Sequence, residues 1–153
     1  MSAPSATNSL KANVVAAYAA LFPQPVQVTY GPEGTYAADD IVEVLDIIVQ
    51  EGEGPQSPLR RRNHDFLLTG VISCYRGGGT EVQQTVTERA LVMLGQIADY
   101  HQDSGASPST QVTLGNAVLW ARLSSFELHE EDQDIAIGRT TAIEFTVFGR
   151  IRA

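Results

Sequence analysis

The chain has 153 residues, 43% of them hydrophobic and 18% charged, and a formal net charge of −8. That is enough apolar material for one domain with a core of normal size, and too much for a disordered chain. The acidic balance argues against a protein that grips nucleic-acid phosphates, and the single cysteine, Cys74, excludes an internal disulfide and any cysteine-rich zinc site.

Residues 1–8 (MSAPSATN) are small and polar and read as a flexible N-terminus, leaving 9–153 as a single α+β domain. Ser9 is a fair N-cap for a helix reaching about Phe22, with Leu10, Val14, Tyr18 and Leu21 at helical spacing and Pro23 and Pro25 ending it. A membrane span needs about 20 apolar residues, whereas the longest run, Val14–Phe22, has nine. The residues before it hold one basic side chain, Lys11, and a poor cleavage pattern, so the expectation is the first helix of a soluble protein rather than a signal peptide or membrane anchor.

Val26–Tyr30 alternates as a short strand, and Ile41–Val49 is β-branched and reads as a second. Glu51–Asn63 holds two Gly and two Pro without periodicity; at 13 residues it is long for a loop in a compact domain. His64–Arg76 is the third strand, broken by Gly77, Gly78 and Gly79. Thr80 and Gln83 have the spacing of a capping box opening a long helix. Val82, Val86, Ala90, Met93, Ile97 and Tyr100 form its apolar stripe, opposite Glu81, Thr85, Glu88, Asp99 and Asp103. Ser104–Asn116 reads as a loop, Ala117–His129 as a fourth strand, Glu130–Gly138 as an acidic connection and Arg139–Arg152 as a fifth strand. Strands in runs rather than in alternation with helices predict an α+β fold: a mostly antiparallel sheet of about five strands with two helices on one face.

Strand alternation assigns the two faces. In the last strand Ile143, Phe145, Val147 and Ile151 point to the core, and in the third Phe66, Leu68, Ile72 and Cys74 do so. The fourth is read with Leu119 and Leu123 on one face and Val118, Trp120 and Phe126 on the other. Two helices cover one face only, so Leu67, Val71, Tyr75, Trp120 and Phe148 are expected on a second, half-apolar face of the kind that marks a protein contact or lies under the long loops.

The residues able to carry chemistry do not converge. There is no G-x-S-x-G, Cys74 falls on the core side of a strand, and His64 and His129 read as exposed strand-end residues. Glu130, Glu131, Asp132 and Asp134 are dense enough to attract Ca²⁺ but lack EF-hand spacing, so a solvated acidic connection is expected. Arg76-Gly77-Gly78-Gly79-Thr80 has neither the P-loop nor the dinucleotide-binding spacing. Arg60, Arg61 and Arg62 are the one basic cluster against an acidic background and suit an acidic protein surface. No enzyme, cofactor or metal is therefore expected. The candidate interface comprises Arg60, Arg61, Arg62, Glu130, Glu131, Asp132, Asp134, Tyr75, Trp120 and Phe148.

The segments VVAAYAALF, DDIVEVLDIIV, RRRNHDFLLTGVISCYRGG, TEVQQTVTERALVMLGQIADY, VLWARLSSFEL and TTAIEFTVFGRIRA, in that order, resemble the tail terminator proteins of long, non-contractile bacteriophage tails, especially those of actinobacterial phages. The resemblance runs from the first helix to the C-terminus and is one of pattern, since the family has no catalytic motif. It implies a virion protein that forms a homohexameric ring at the head-proximal end of the tail. There it stops tube growth and meets the tail tube protein on one side and a head-completion or connector protein on the other. DNA would pass through the lumen without specific binding, which an acidic ring favours. The alternatives are another neck or tail-completion protein, a tail tube subunit, or a small ligand-binding or enzymatic domain working near His64 or His129.

Overall fold

The computed structural model describes residues 3–32, 38–50, 63–102, 118–134 and 138–152. Helix α1 spans Ala3–Leu21, strand β1 Gln27–Tyr30, β2 Asp40–Gln50 and β3 Asn63–Gly77. A 3₁₀ turn at Thr80–Val82 leads into α2, Gln83–Gln102, followed by β4, Val118–Asp134, and β5, Gly138–Arg152. The order helix, three strands, helix, two strands is the one the pattern predicts.

The strands form one sheet in the order β1-β2-β3-β5-β4. β1 runs parallel to β2, and the other pairs are antiparallel. β5 is therefore central, inserted between β3 and β4, and β4 is an edge strand of 17 residues. Helix α1 lies over β1, β2 and β5, and α2 over β3, β4 and β5, with both buried stripes in one core. Tyr18, Phe66, Phe145, Leu10, Leu68 and Ile72 are fully enclosed there; burying a side chain of this size contributes about 1.5–3 kcal/mol. Phe145 lies across Gly70, where a methyl group would overlap its ring.

Helix α1 begins at Ala3 rather than Ser9, so the expected flexible N-terminus is helical from residue 3. Proline is tolerated in a first helical turn, where its missing N–H costs nothing, and Pro4 stands there. Ala6 then extends the buried stripe Leu10, Val14, Tyr18 by one turn. The capping box does not form. Glu81 accepts a hydrogen bond from the Gly79 N–H at 3.0 Å, while Gln83 Nε2 donates to Thr141 Oγ1 on β5 at 3.1 Å.

The expected acidic connection is instead the end of β4, where Glu130, Glu131, Asp132 and Asp134 stand opposite Thr141, Thr140, Arg139 and Gly138. Register pairing along the whole of β5 carries the strand past the point where its hydrophobic alternation ends. The face assignment within β4 also changes. Irregularities between Val118 and Trp120 and between Leu123 and Ser125 break the period of two. Val118, Ala121, Leu123 and Leu128 thus share the core side, with Phe126 on that side by register but 54% exposed at the sheet edge, while Trp120 and Arg122 share the other. His64 is buried at the end of β3, not exposed. The expected core rows of β3 and β5 are enclosed as read.

Polar contacts fasten helix α2 to the sheet at its start and to helix α1 at its far end. At its start, Thr87 Oγ1 donates to Glu130 Oε1 at 2.9 Å and lies 2.9 Å from Thr141 Oγ1. On the same side, Asp40 on β2 accepts from Arg76 Nη1 at 2.8 Å, from Arg76 Nη2 at 3.2 Å and from Arg89 Nε at 3.2 Å. Burial alone would raise the Asp40 carboxyl; the two guanidiniums reverse this and hold it below its ordinary value. At the far end, Tyr18 Oη and His101 Nε2 are 2.7 Å apart in an aromatic cluster with Tyr100 and Phe145. Burial lowers His101 to about 4 and raises Tyr18.

Candidate interface

The face of the sheet turned away from the helices is built by register. Ile48 stands opposite Leu67, Leu67 opposite Phe148, and Phe148 opposite Arg122, which makes one row across four strands. Ile48 is 57% exposed, and Leu67 and Phe148 are half-buried. In the neighbouring row Trp120 stands opposite Arg150 and Arg150 opposite Asp65. The Trp120 ring meets Phe148 edge-on, with centroids 5.3 Å apart. The Arg122 guanidinium sits 5.8 Å from the Trp120 ring and 5.9 Å from that of Phe148. Such cation–π contacts are worth about 0.5–1 kcal/mol at exposed sites. Arg150 Nε donates to Asp65 Oδ1 at 2.9 Å, a half-exposed pair that adds little to stability.

The row is the arrangement that an interface core favours: aromatic and apolar side chains with arginine, ringed by polar ones. Next along the sheet come Thr69, Thr146 and Ser125 in one row, and then Glu43, Val71, Glu144 and Glu127 in another. The face is thus apolar and cationic toward Phe148 and anionic toward Glu144.

Of the residues singled out in the sequence, Trp120 and Phe148 come together in the first of these patches. Tyr75 lies on the same face at its opposite end, opposite Thr140 and packed over Gly138. Glu130 is exposed on β4, and its carboxylate holds Thr87. Glu131, Asp132 and Asp134 continue that strand. Arg60, Arg61 and Arg62 lie outside the described residues. Sequence reading missed Ile48 and Arg122. Ile48 sits in a β-branched run whose alternation is masked by a bulge between Val44 and Ile47, and Arg122 stands beyond the first irregularity of β4.

Cys74 is enclosed between β3 and α2, with its Sγ 3.6 Å from Met93 Sδ. Burial, reinforced by the charge of Asp40, pushes its thiol up to about 12. A thiol so enclosed and held protonated packs between sheet and helix. Among the described residues no helix is long and apolar enough to cross a membrane.

Compared with protein-family models and with curated proteins, the chain matches none.

Proposed function

We propose that this chain is a structural subunit of a bacteriophage tail, a terminator whose ring caps the head-proximal end of a long non-contractile tail and offers the surface that joins tail to head. The observation that carries the reading is the row Ile48–Leu67–Phe148 with Trp120 and Arg122, an apolar surface on a sheet whose helices occupy the other side. A contact surface of this kind suits an assembling subunit. The reading agrees with the order of segments that resembles the terminator family. In a ring of six copies each subunit brings a net charge of −8, which favours passage of DNA over its retention. The Arg60–Arg62 segment and the acidic end of β4 are the candidates for contacts across subunit boundaries, where arginine–carboxylate pairs supply specificity more than affinity.

A related tube subunit is the second reading. It is favoured by the long β4–β5 hairpin, whose strands of 17 and 15 residues run the length of the sheet. Antibody or gold labelling of the chain on detached tails in negative-stain electron microscopy separates the two. Label confined to the head-proximal end is the result expected of a terminator. Label along the whole tail makes it a tube protein, and no label on any tail removes the phage reading.

A further inference from the structure

We infer that Glu127, His129 and Glu144 form a binding site for a borderline divalent transition-metal ion of the Zn²⁺ type. The inference stands on the geometry of the β4–β5 hairpin and is independent of the tail reading. Glu127 and His129 are two residues apart on β4, so the period of the strand turns both to the open face. Glu144 on β5 stands directly opposite Glu127. Opposite His129 is Ala142, whose side chain is a single methyl group. One ligand atom from each of the three residues lies within 4.8 Å of the other two. His129 Nε2 and Glu127 Oε2 are already 3.8 Å apart. Ligands at about 2.0–2.2 Å from a tetrahedral Zn²⁺ are separated by about 3.4 Å. All three side chains are exposed and can close that difference by rotation.

The chemistry of the donors selects the ion. An imidazole nitrogen is a poor ligand for Ca²⁺ or Mg²⁺, which take oxygen; one imidazole with two carboxylates suits Zn²⁺, Co²⁺ or Ni²⁺. The two carboxylates neutralise the dication, and exposure leaves its remaining positions to water. A second observation points the same way. Like charges directly opposite each other on a sheet face are destabilising. Yet Glu127 and Glu144 occupy such a pair, in a row that continues through Val71 to Glu43. His129 Nε2, 3.8 Å from Glu127 Oε2, offsets this charge only when the imidazole is protonated. A metal ion turns the repelling pair into two ligands.

The test titrates the untagged full chain with ZnCl₂ by calorimetry and repeats the titration on His129→Ala, Glu144→Gln and, as a control, Glu88→Gln on the exposed side of α2. Far-UV circular dichroism checks that each variant is folded. The expected result is saturable binding of one ion per chain, weakened about tenfold or more in both site variants, as loss of a ligand should cost at least as much as loss of its supporting shell, and unchanged in Glu88→Gln. Shifts of the His129 ring resonances on Zn²⁺ addition would place the ion. No saturable binding below about 1 mM, or equal affinity in wild type and His129→Ala, overturns the proposal. Loss in Glu144→Gln with full retention in His129→Ala also overturns it, since that is the behaviour of a diffuse acidic surface.

Discussion

Asp40→Ala tests how helix α2 is held to the sheet. The carboxylate is 11% exposed and accepts three hydrogen bonds, at 2.8 and 3.2 Å from Arg76 and at 3.2 Å from Arg89. Hydrogen bonds to charged groups contribute about 1.5–3 kcal/mol each when well shielded. The two arginines are 34% and 36% exposed, so water screens them and recovers them once the partner is gone. Counting the three bonds at full value would overshoot. A loss of about 2–3 kcal/mol follows, below the 3–5 kcal/mol typical of breaking a fully buried pair. The pH dependence has a definite sign. The carboxyl is held below its ordinary value in the folded chain, so its stabilisation is complete above the unfolded-state pKa of about 4 and fades as pH falls through the lower folded value. Urea denaturation followed by circular dichroism at pH 7 and again in acid measures both quantities. The gap between wild type and Asp40→Ala should be widest at pH 7 and close in acid. A difference under about 0.5 kcal/mol at pH 7, the size of an ordinary surface substitution, or a gap that stays constant into acid, would refute the reasoning.

His101 is buried and lowered to about 4, below its unfolded value of about 6.5. Stability should therefore be full above pH 6.5 and decline toward pH 4, by up to about 3 kcal/mol, and His101→Phe should flatten that part of the pH–stability curve. Cys74 should resist iodoacetamide in the native chain and react fully in denaturant, as mass spectrometry would record; rapid native labelling would contradict its burial. Gly95 sits in α2 with open space around it, so Gly95→Ala should raise stability by about 0.5–1 kcal/mol. Gly70→Ala must displace the Phe145 ring and should lower the melting temperature instead, with a cost of about 1–3 kcal/mol. Replacing Arg60, Arg61 and Arg62 together by alanine should leave the circular dichroism spectrum unchanged while weakening ring assembly or head joining. Normal tail length and head joining in such a mutant would remove the role assigned to them.

Much of the fold was legible because its elements obey simple periods. The α2 stripe Val86, Ala90, Met93, Ile97 and the β5 row Ile143, Phe145, Val147, Ile151 are buried as their spacing requires. Strand order was not legible, since nothing in β5 itself says that it separates β3 from β4. The acidic residues 130–134 carry no hydrophobic alternation, and their place in a strand comes from pairing with β5. The basic neighbours of His64 suggest exposure, but the period that encloses Phe66 and Leu68 also encloses it. The interface row and the Glu127–His129–Glu144 group depend on register across strands, and the irregularity between Leu123 and Ser125 resets that register locally. The alternation of their strands points Trp120 and Phe148 to the surface, but their contact with Arg122 follows only from the register.

The central position of β5 bears on how the chain is made. A ribosome delivers β4 before the strand that separates it from β3 exists. Until residues 138–152 emerge, β4 has no strand neighbour and one edge of β3 is open, so the backbone groups along those edges have no strand partner. A single strand then satisfies both edges together. Nascent chains stalled before residue 138 should be cut readily by protease, whereas chains released with β5 in place should resist. Closure of the sheet is thereby tied to one segment, residues 138–152.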